Sequence, residues 1–158
     1  MLTITQRATL KAALQAETNA DVVYAMSIRG DTWLCSNWLN VATDTNAWAT
    51  SVAKSDIIEA SPMTLYDGLT QGKRDEWRLV LDHISQFDAS KQINRDVIVD
   101  SWGTASRSVP ILQACLTKAN RLEVYLGGSN ATTNTVTGLV RAYVGTISVN
   151  ELSEILNA

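Results

Sequence analysis

The longest regular pattern in the chain is an amphipathic stretch near its middle. Asp67 precedes it and is positioned to cap the first turn of a helix. Large apolar side chains then recur at three- and four-residue spacing, which places them on one side of an α-helix: Leu69, Trp77, Val80, Leu81, Ile84 and Phe87. The pattern predicts a core helix from about residue 69 to residue 87, against which the rest of the fold must pack.

Helical spacing or capping signals recur on both sides of this stretch. Thr3 or Thr5 can cap a first helix, and Ser148 with Glu151 forms the S-x-x-E capping box of a last one. The other predicted helices cover residues 3–17, 51–60, 91–102, 110–126 and 149–156, and residues 21–28 are a short helical candidate. We therefore expect a mainly α fold, a compact single domain over residues 1–158 with about five to six helices.

Two stretches lack a helical period. Residues 32–48 carry Trp33, Trp38 and Trp48 among polar residues, which predicts a loop-rich segment held to the core by its tryptophans. Residues 136–144 are β-branched and predict an extended segment after a polar loop at 129–135. This segment is expected to be half of a short β-hairpin or an edge strand, so that 129–148 form a loop plus β segment able to protrude.

Composition and charge exclude several classes of protein. With 46% hydrophobic and 18% charged residues the chain is expected to fold, and no apolar run approaches the roughly 20 residues that span a bilayer. A net charge of -3 with scattered basic residues does not suit a protein that tracks phosphates. The first residues do not resemble a signal peptide, which predicts synthesis in the cytoplasm and reduced, buried Cys35 and Cys115.

Reactive side chains are not clustered in the sequence. The single histidine, His83, follows Asp82, but adjacent helical residues point about 100° apart and do not form an acid–base pair. No spacing of His, Cys and Glu matches a zinc site. Gly127-Gly128 follows a predicted helix, whereas a phosphate-binding loop precedes one. The sequence therefore predicts no catalytic, cofactor-binding or metal-binding residue, no cofactor, and a protein that is not an enzyme.

The densest charged stretch is Gly72–Arg78, which contains Lys73, Arg74 and Arg78 among acidic residues. Alternating charges at helical spacing are typical of a solvated helix face or of ion pairs between subunits. The solvated face is favoured, and the interface remains as the alternative.

Short motifs in a fixed order carry a resemblance. They are Leu2-Thr3-x-x-Gln6, Trp48-x-x-x-Val52 followed by Asp56-Ile57, Gly72-Lys73-x-x-x-Trp77, Arg121-Leu122-Glu123 before Gly127-Gly128, and Gly145-x-Ile147-Ser148. This order resembles a family of small proteins encoded among the virion head and tail genes of tailed bacteriophages, and the likeness covers most of the chain.

The resemblance implies a non-enzymatic structural protein of the virion, made in the host cytoplasm. The expected position is the neck, as one subunit of a head-to-tail connector or adaptor ring. Its partners would be further copies of itself and portal or tail proteins, with passive DNA passage, no sequence-specific nucleic-acid binding and no membrane. The alternatives are a capsid decoration protein, a tail terminator or completion protein, a phage-encoded enzyme, and a regulatory or DNA-binding domain.

A ring of this kind has a different surface on each side of every subunit, which favours edge strands and charged contacts. The first helix and the 136–147 segment are therefore expected to contribute to interfaces. The candidate interface residues are Leu10, Leu14, Lys73, Arg74, Arg78, Val136, Leu139, Val140, Arg141 and Tyr143.

Overall fold

The computed structural model describes residues 1–20, 22–23, 32–103 and 105–158. In chain order its elements are α1 (Ile4–Gln15), α2 (Thr32–Asn40), β1 (Ala42–Trp48), β2 (Val52–Ala53), α3 (Lys54–Ala60), a 3₁₀ helix (Met63–Gly68), α4 (Gln71–His83), β3 (Gln86–Phe87), α5 (Gln92–Trp102), α6 (Ala105–Ala114), β4 (Leu116–Asn120), α7 (Arg121–Leu126), β5 (Gly128–Thr133), β6 (Val136–Arg141) and α8 (Val149–Asn157). Helices are combined with a four-stranded mixed sheet and a two-stranded sheet, so the fold is α/β. The prediction of a mainly α domain is wrong.

Four strands form one mixed sheet in the order β4-β1-β6-β5. The central pair, β1 and β6, is parallel, with Ala47 opposite Leu139. The strands β1 and β4 run in opposite directions, because the amide of Ala49 bonds to the carbonyl of Cys115 where β1 ends and β4 begins. A second, two-stranded sheet pairs β2 with β3.

Helix α2 occupies the first part of the loop predicted for 32–48, and strand β1 occupies most of the remainder. Strand β4 interrupts the helix predicted for 110–126. The reason lies in Asn120, whose side chain accepts a 2.8 Å hydrogen bond from the amide of Glu123 and caps α7. A residue that caps a new helix has extended backbone, so the chain cannot be helical there.

The central helix is shorter than its pattern predicts. Thr70, not Asp67, caps α4, and the helix ends at His83. Ile84 is already extended, and Phe87 is buried in β3. The apolar spacing continued past the helix because the following strand packs its own apolar side chain into the same core as Trp77.

Several predicted helices are confirmed where local signals mark their ends. Thr3 caps α1 with a full capping box, and helices are present at 54–60, 92–102 and 149–157. Ser148 caps α8, whereas Glu151 bonds to the amide of Leu2 instead of completing the box. The short helix predicted for 21–28 lies outside the described residues, apart from Val22 and Val23.

The chain forms two compact units. The first contains residues 1–45, 118–129 and 141–158. Its core combines side chains from all three stretches: Leu2, Leu10, Leu14, Val22, Cys35, Leu39, Leu122, Leu126, Ile147, Leu152 and Ile155.

The second unit contains residues 46–117 and 130–140. Trp77 and Trp102 meet edge to face at its centre, with their ring centroids 5.7 Å apart. The core around them is Trp48, Val52, Ile57, Leu69, Phe87, Ala89, Ile98, Ile111, Leu112, Cys115 and Val136.

A buried ion pair holds the first unit together near α7. Arg141 donates to Glu123 at 2.9 Å, and the two side chains are only 6% and 5% exposed. The same carboxylate also accepts from the amides of Asn120 and Gly145. Because the contacts with Arg141 and Gly145 come from a later stretch of the chain, Glu123 fixes the path of residues 141–145 against α7.

Candidate interaction site

Reactive groups are dispersed over the part of the chain that the structure describes. His83 is exposed, and its Nδ1 lies 3.0 Å from the carbonyl oxygen of Leu79 in its own helix. Burial raises the pKa of the Cys115 thiol to about 12, so this thiol stays protonated and is a poor nucleophile. Within the described ranges no three His, Cys, Asp or Glu side chains are grouped to hold a metal ion.

The most unusual backbone in the described residues is the turn between β5 and β6. Asn134 and Thr135 both have positive φ, 43° and 71°, which is the geometry of a two-residue type I′ hairpin turn. Asn134 tolerates this conformation, whereas it is costly for a β-branched threonine. The Nδ2 of Asn134 donates to the hydroxyl of Ser108 at 2.5 Å, which anchors the turn to α6.

The turn determines which backbone groups of β5 are free for other partners. In a two-residue hairpin Thr133 and Val136 exchange hydrogen bonds, and the next pair, Thr132 and Thr137, does not. The hydroxyls of Thr132 and Thr137 lie 2.8 Å apart, in agreement with this register. The backbone N–H and C=O groups of Asn130 and Thr132 therefore point away from β6, toward the outer edge of the sheet.

This outer edge lacks the usual protection against pairing. Strand β5 contains neither a charged residue nor a proline, and Asn130 and Thr132 are exposed. Among the strands that the structure describes, none pairs with the outer side of β5. Natural edge strands commonly carry lysine, proline or a covering element, because an open edge invites another strand to bind.

A cavity of about 480 Å³ lies beside this edge. One wall is formed by the end of β5 and the turn, and the other by α5. Its lining residues are Gln92, Asp96, Val99, Asp100, Thr132, Thr133 and Asn134. We call it the α5–β5 groove. The outer edge of β5 and the two acidic side chains of α5, Asp96 and Asp100, therefore border the same space.

Arg95 is only 1% exposed and bonds to two residues that line the groove, Gln92 and Thr133. Its guanidinium stacks on Trp48, 4.7 Å from the ring centroid. It donates hydrogen bonds to the Thr133 hydroxyl, the Gln92 side chain and the carbonyls of Ala89 and Ser90. Arg95 therefore ties the start of α5 and the preceding loop to the end of β5.

Negative charge is concentrated on the α5 wall. Asp96 and Asp100 are one helical turn apart and exposed, and the Asp96 carboxylate accepts a 2.6 Å bond from Gln92. In the described part of the chain neither carboxylate forms a salt bridge. Burial lowers the pKa of Arg95 and the negative charge of Asp96 opposes that effect, but a guanidinium remains charged throughout.

The structure places the candidate interface residues in several different surroundings. Leu10 and Leu14 are buried in the core of the first unit, so their side chains are not available for an outside contact. Val136 is also buried, at 6% exposure. Lys73 pairs with Glu76 at 2.9 Å, and Arg74 lies 3.9 Å from Asp67. Arg78 is exposed on the same helix.

The remaining candidates belong to β6 and the segment after it. Leu139 and Val140 are half-buried, Arg141 holds the ion pair with Glu123, and the Tyr143 hydroxyl bonds to the carbonyl of Thr146. Strand β6 lies between β1 and β5 and is not an edge strand. The hairpin half of the prediction is confirmed. The available edge is β5, in the stretch predicted as a loop.

The sequence carried weak signals for this site. Asn134-Thr135 lies between Thr-rich stretches, but the turn lacks the Asn-Gly pair that usually marks a type I′ hairpin. Asp96 and Asp100 have the four-residue spacing of one helix face, which indicates only that they are neighbours. The burial of Arg95 could not be predicted from the sequence, because arginine side chains are almost always exposed.

No protein-family model, no curated protein and no solved structure matches the chain. Among the helices that the structure describes, none has the length and apolar character needed to cross a membrane.

Proposed function

We propose that this chain is a non-enzymatic structural component of a tailed-bacteriophage virion and a subunit of the connector ring between head and tail. The virion assignment is supported by the ordered motifs of the sequence. The ring assignment is supported by the sheet, which offers an edge for assembly.

The observation that carries the proposal is the outer edge of β5, with which none of the described strands pairs. Its backbone groups at Asn130 and Thr132 point outward, and no charge or proline opposes a further strand. Strand addition uses main-chain hydrogen bonds, so it supplies a contact whose geometry is repeated identically between neighbouring subunits. The dispersed reactive groups of the described residues favour a protein that acts through its surface.

A substitution at Asn130 tests this edge. Asn130→Pro removes an N–H that points outward, and the internal ladder of the hairpin keeps its bonds. We expect the purified wild-type protein to form large closed oligomers, visible as rings by electron microscopy, and Asn130→Pro to reduce them to monomers. Asn130→Ala keeps the N–H and is the matched control, which should assemble like wild type.

Circular dichroism and thermal melting of both variants establish that they are folded. Rings formed by folded Asn130→Pro would exclude the β5 edge from the contact. The virion assignment is tested separately, by probing purified phage particles with an antibody against the chain. Absence from the particles, together with a monomeric wild-type protein, would overturn the proposed function.

A further inference from the structure

The four-stranded sheet has two different edges, and the second one is β4. Building on the proposed function, we infer that the α5–β5 groove of one copy receives the β4 edge of the next, with Lys118 placed against Asp96 and Asp100. The occupant of the groove is thus a second copy of this chain. The contact joins unlike surfaces, as a closed ring requires.

The strand directions are compatible with this arrangement. Strand β4 is antiparallel to β1, β1 is parallel to β6, and the hairpin makes β6 antiparallel to β5. The two edge strands β4 and β5 therefore run in the same direction. Rotation about an axis along the strands preserves direction, so β4 of one copy would lie parallel to β5 of its neighbour.

Charge complementarity selects this pairing over others. Lys118 is the charged residue of β4; it is exposed, and its Nζ donates to the carbonyl oxygen of Asp44 at 2.9 Å. The α5 wall of the groove presents Asp96 and Asp100. Two β4 edges would bring like charges together, and two grooves would do the same. Pairing a β4 edge with a groove brings opposite charges together.

Side-chain alternation places Lys118 on the appropriate face of the sheet. A Cβ built on Gly138 would lie 2.8 Å from the Cδ2 atom of Leu116. The Leu116 side chain therefore lies on the face of the sheet toward which a side chain at position 138 would point. In the hairpin Gly138 lies opposite Ala131, which shares its face with Thr133, the residue bonded to Gln92 of α5. Lys118 is two residues from Leu116 and points to the same face of β4 as Leu116 does. In a sheet continued from copy to copy, it would extend over the face that carries α5.

Charge reversal tests the contact. We expect Lys118→Glu alone, and Asp96→Lys with Asp100→Lys, each to abolish the oligomer while leaving the melting temperature within a few degrees of wild type. The triple variant reverses both sides of the contact and should form rings again. An equimolar mixture of the two monomeric variants should also assemble, because each contact then joins opposite charges. Asp75→Lys, on the exposed side of α4, is the control and should assemble normally.

The outcomes separate this inference from the proposed function. Wild-type rings that persist in both reversed variants would overturn the β4–groove contact and leave the ring itself standing. A wild-type protein that stays monomeric but is present in virions would also overturn the contact between copies, without removing the chain from the particle. Loss of assembly in the reversed variants with recovery in the triple variant would support the contact.

Discussion

At the scale of single residues, each unit contains a site with buried charge, and the two sites are satisfied differently. Glu123 in the first unit meets an arginine directly, whereas Arg95 in the second unit is held by uncharged acceptors and the face of Trp48. A buried charge without its hydrogen bonds is expensive, so each site strongly favours one arrangement of the surrounding chain. The acceptors of Arg95 come from the loop at 89–90, from α5 and from β5.

Replacing Arg95 should therefore destabilise the second unit. Arg95→Met keeps most of the side-chain volume but leaves the carbonyls of Ala89 and Ser90 without their donor, and we expect a loss of about 3 kcal/mol in the free energy of unfolding. Urea denaturation followed by tryptophan fluorescence measures it. Arg78→Met removes an exposed arginine from α4 and should change stability by less than about 0.5 kcal/mol. Equal effects of the two substitutions would show that the Arg95 bonds contribute little.

At the scale of elements, the β5–β6 hairpin combines an anchored turn with an unprotected edge. The turn has an unfavourable residue, because Thr135 has a φ of 71°. Hairpins of this type usually have glycine at the second turn position. The strain at Thr135 is maintained by the sheet pairing on one side and by the Asn134–Ser108 bond on the other.

Thr135→Gly should stabilise the hairpin. The positive φ costs glycine nothing, and we expect a gain of about 1 kcal/mol after allowing for the greater freedom of glycine in the unfolded chain. Thr137→Gly, at an exposed position in regular β6 backbone, is the control and should lose about 0.5–1 kcal/mol. Thermal unfolding of both variants provides the comparison. A loss of stability in Thr135→Gly would mean that the threonine side chain has a contact that outweighs the strain.

Elements with local signals were predictable, and those that depend on distant partners were not. The ends of α1 and α8 follow from Thr3 and Ser148, because a cap acts within a few residues. Strand β1 has no such signal: it is stabilised by pairing with β6, where Ala47 meets Leu139. The α5–β5 groove was missed for the same reason, since its walls are brought together only by the fold.

At the scale of the whole molecule, each compact unit is built from stretches that are far apart in the sequence. The core of the first unit includes Leu10 and Leu14 near one end of the sequence and Leu152 and Ile155 near the other. Helix α8 is therefore an essential part of that unit, although it is short and its capping signal is purely local.

Leu152→Ala tests how strongly α8 supports the first unit. Leu152 is fully buried, at 0% exposure, and its truncation should cost about 3 kcal/mol through lost burial and the remaining cavity. Ile4→Ala, at a residue that is 89% exposed, is the control and should change stability by less than about 0.5 kcal/mol. Both are measured by urea denaturation. A small effect at Leu152 would indicate that the core relaxes to fill the space.

The discontinuous first unit also has a consequence for biosynthesis. Helix α1 is translated early, but the two helices that pack against it, α7 and α8, are added only when the ribosome reaches residues 121–157. At roughly 5–20 residues per second, the delay is on the order of 5–30 seconds. Throughout that interval Leu10 and Leu14 of α1 lack the partners from α7 and α8 that complete their core.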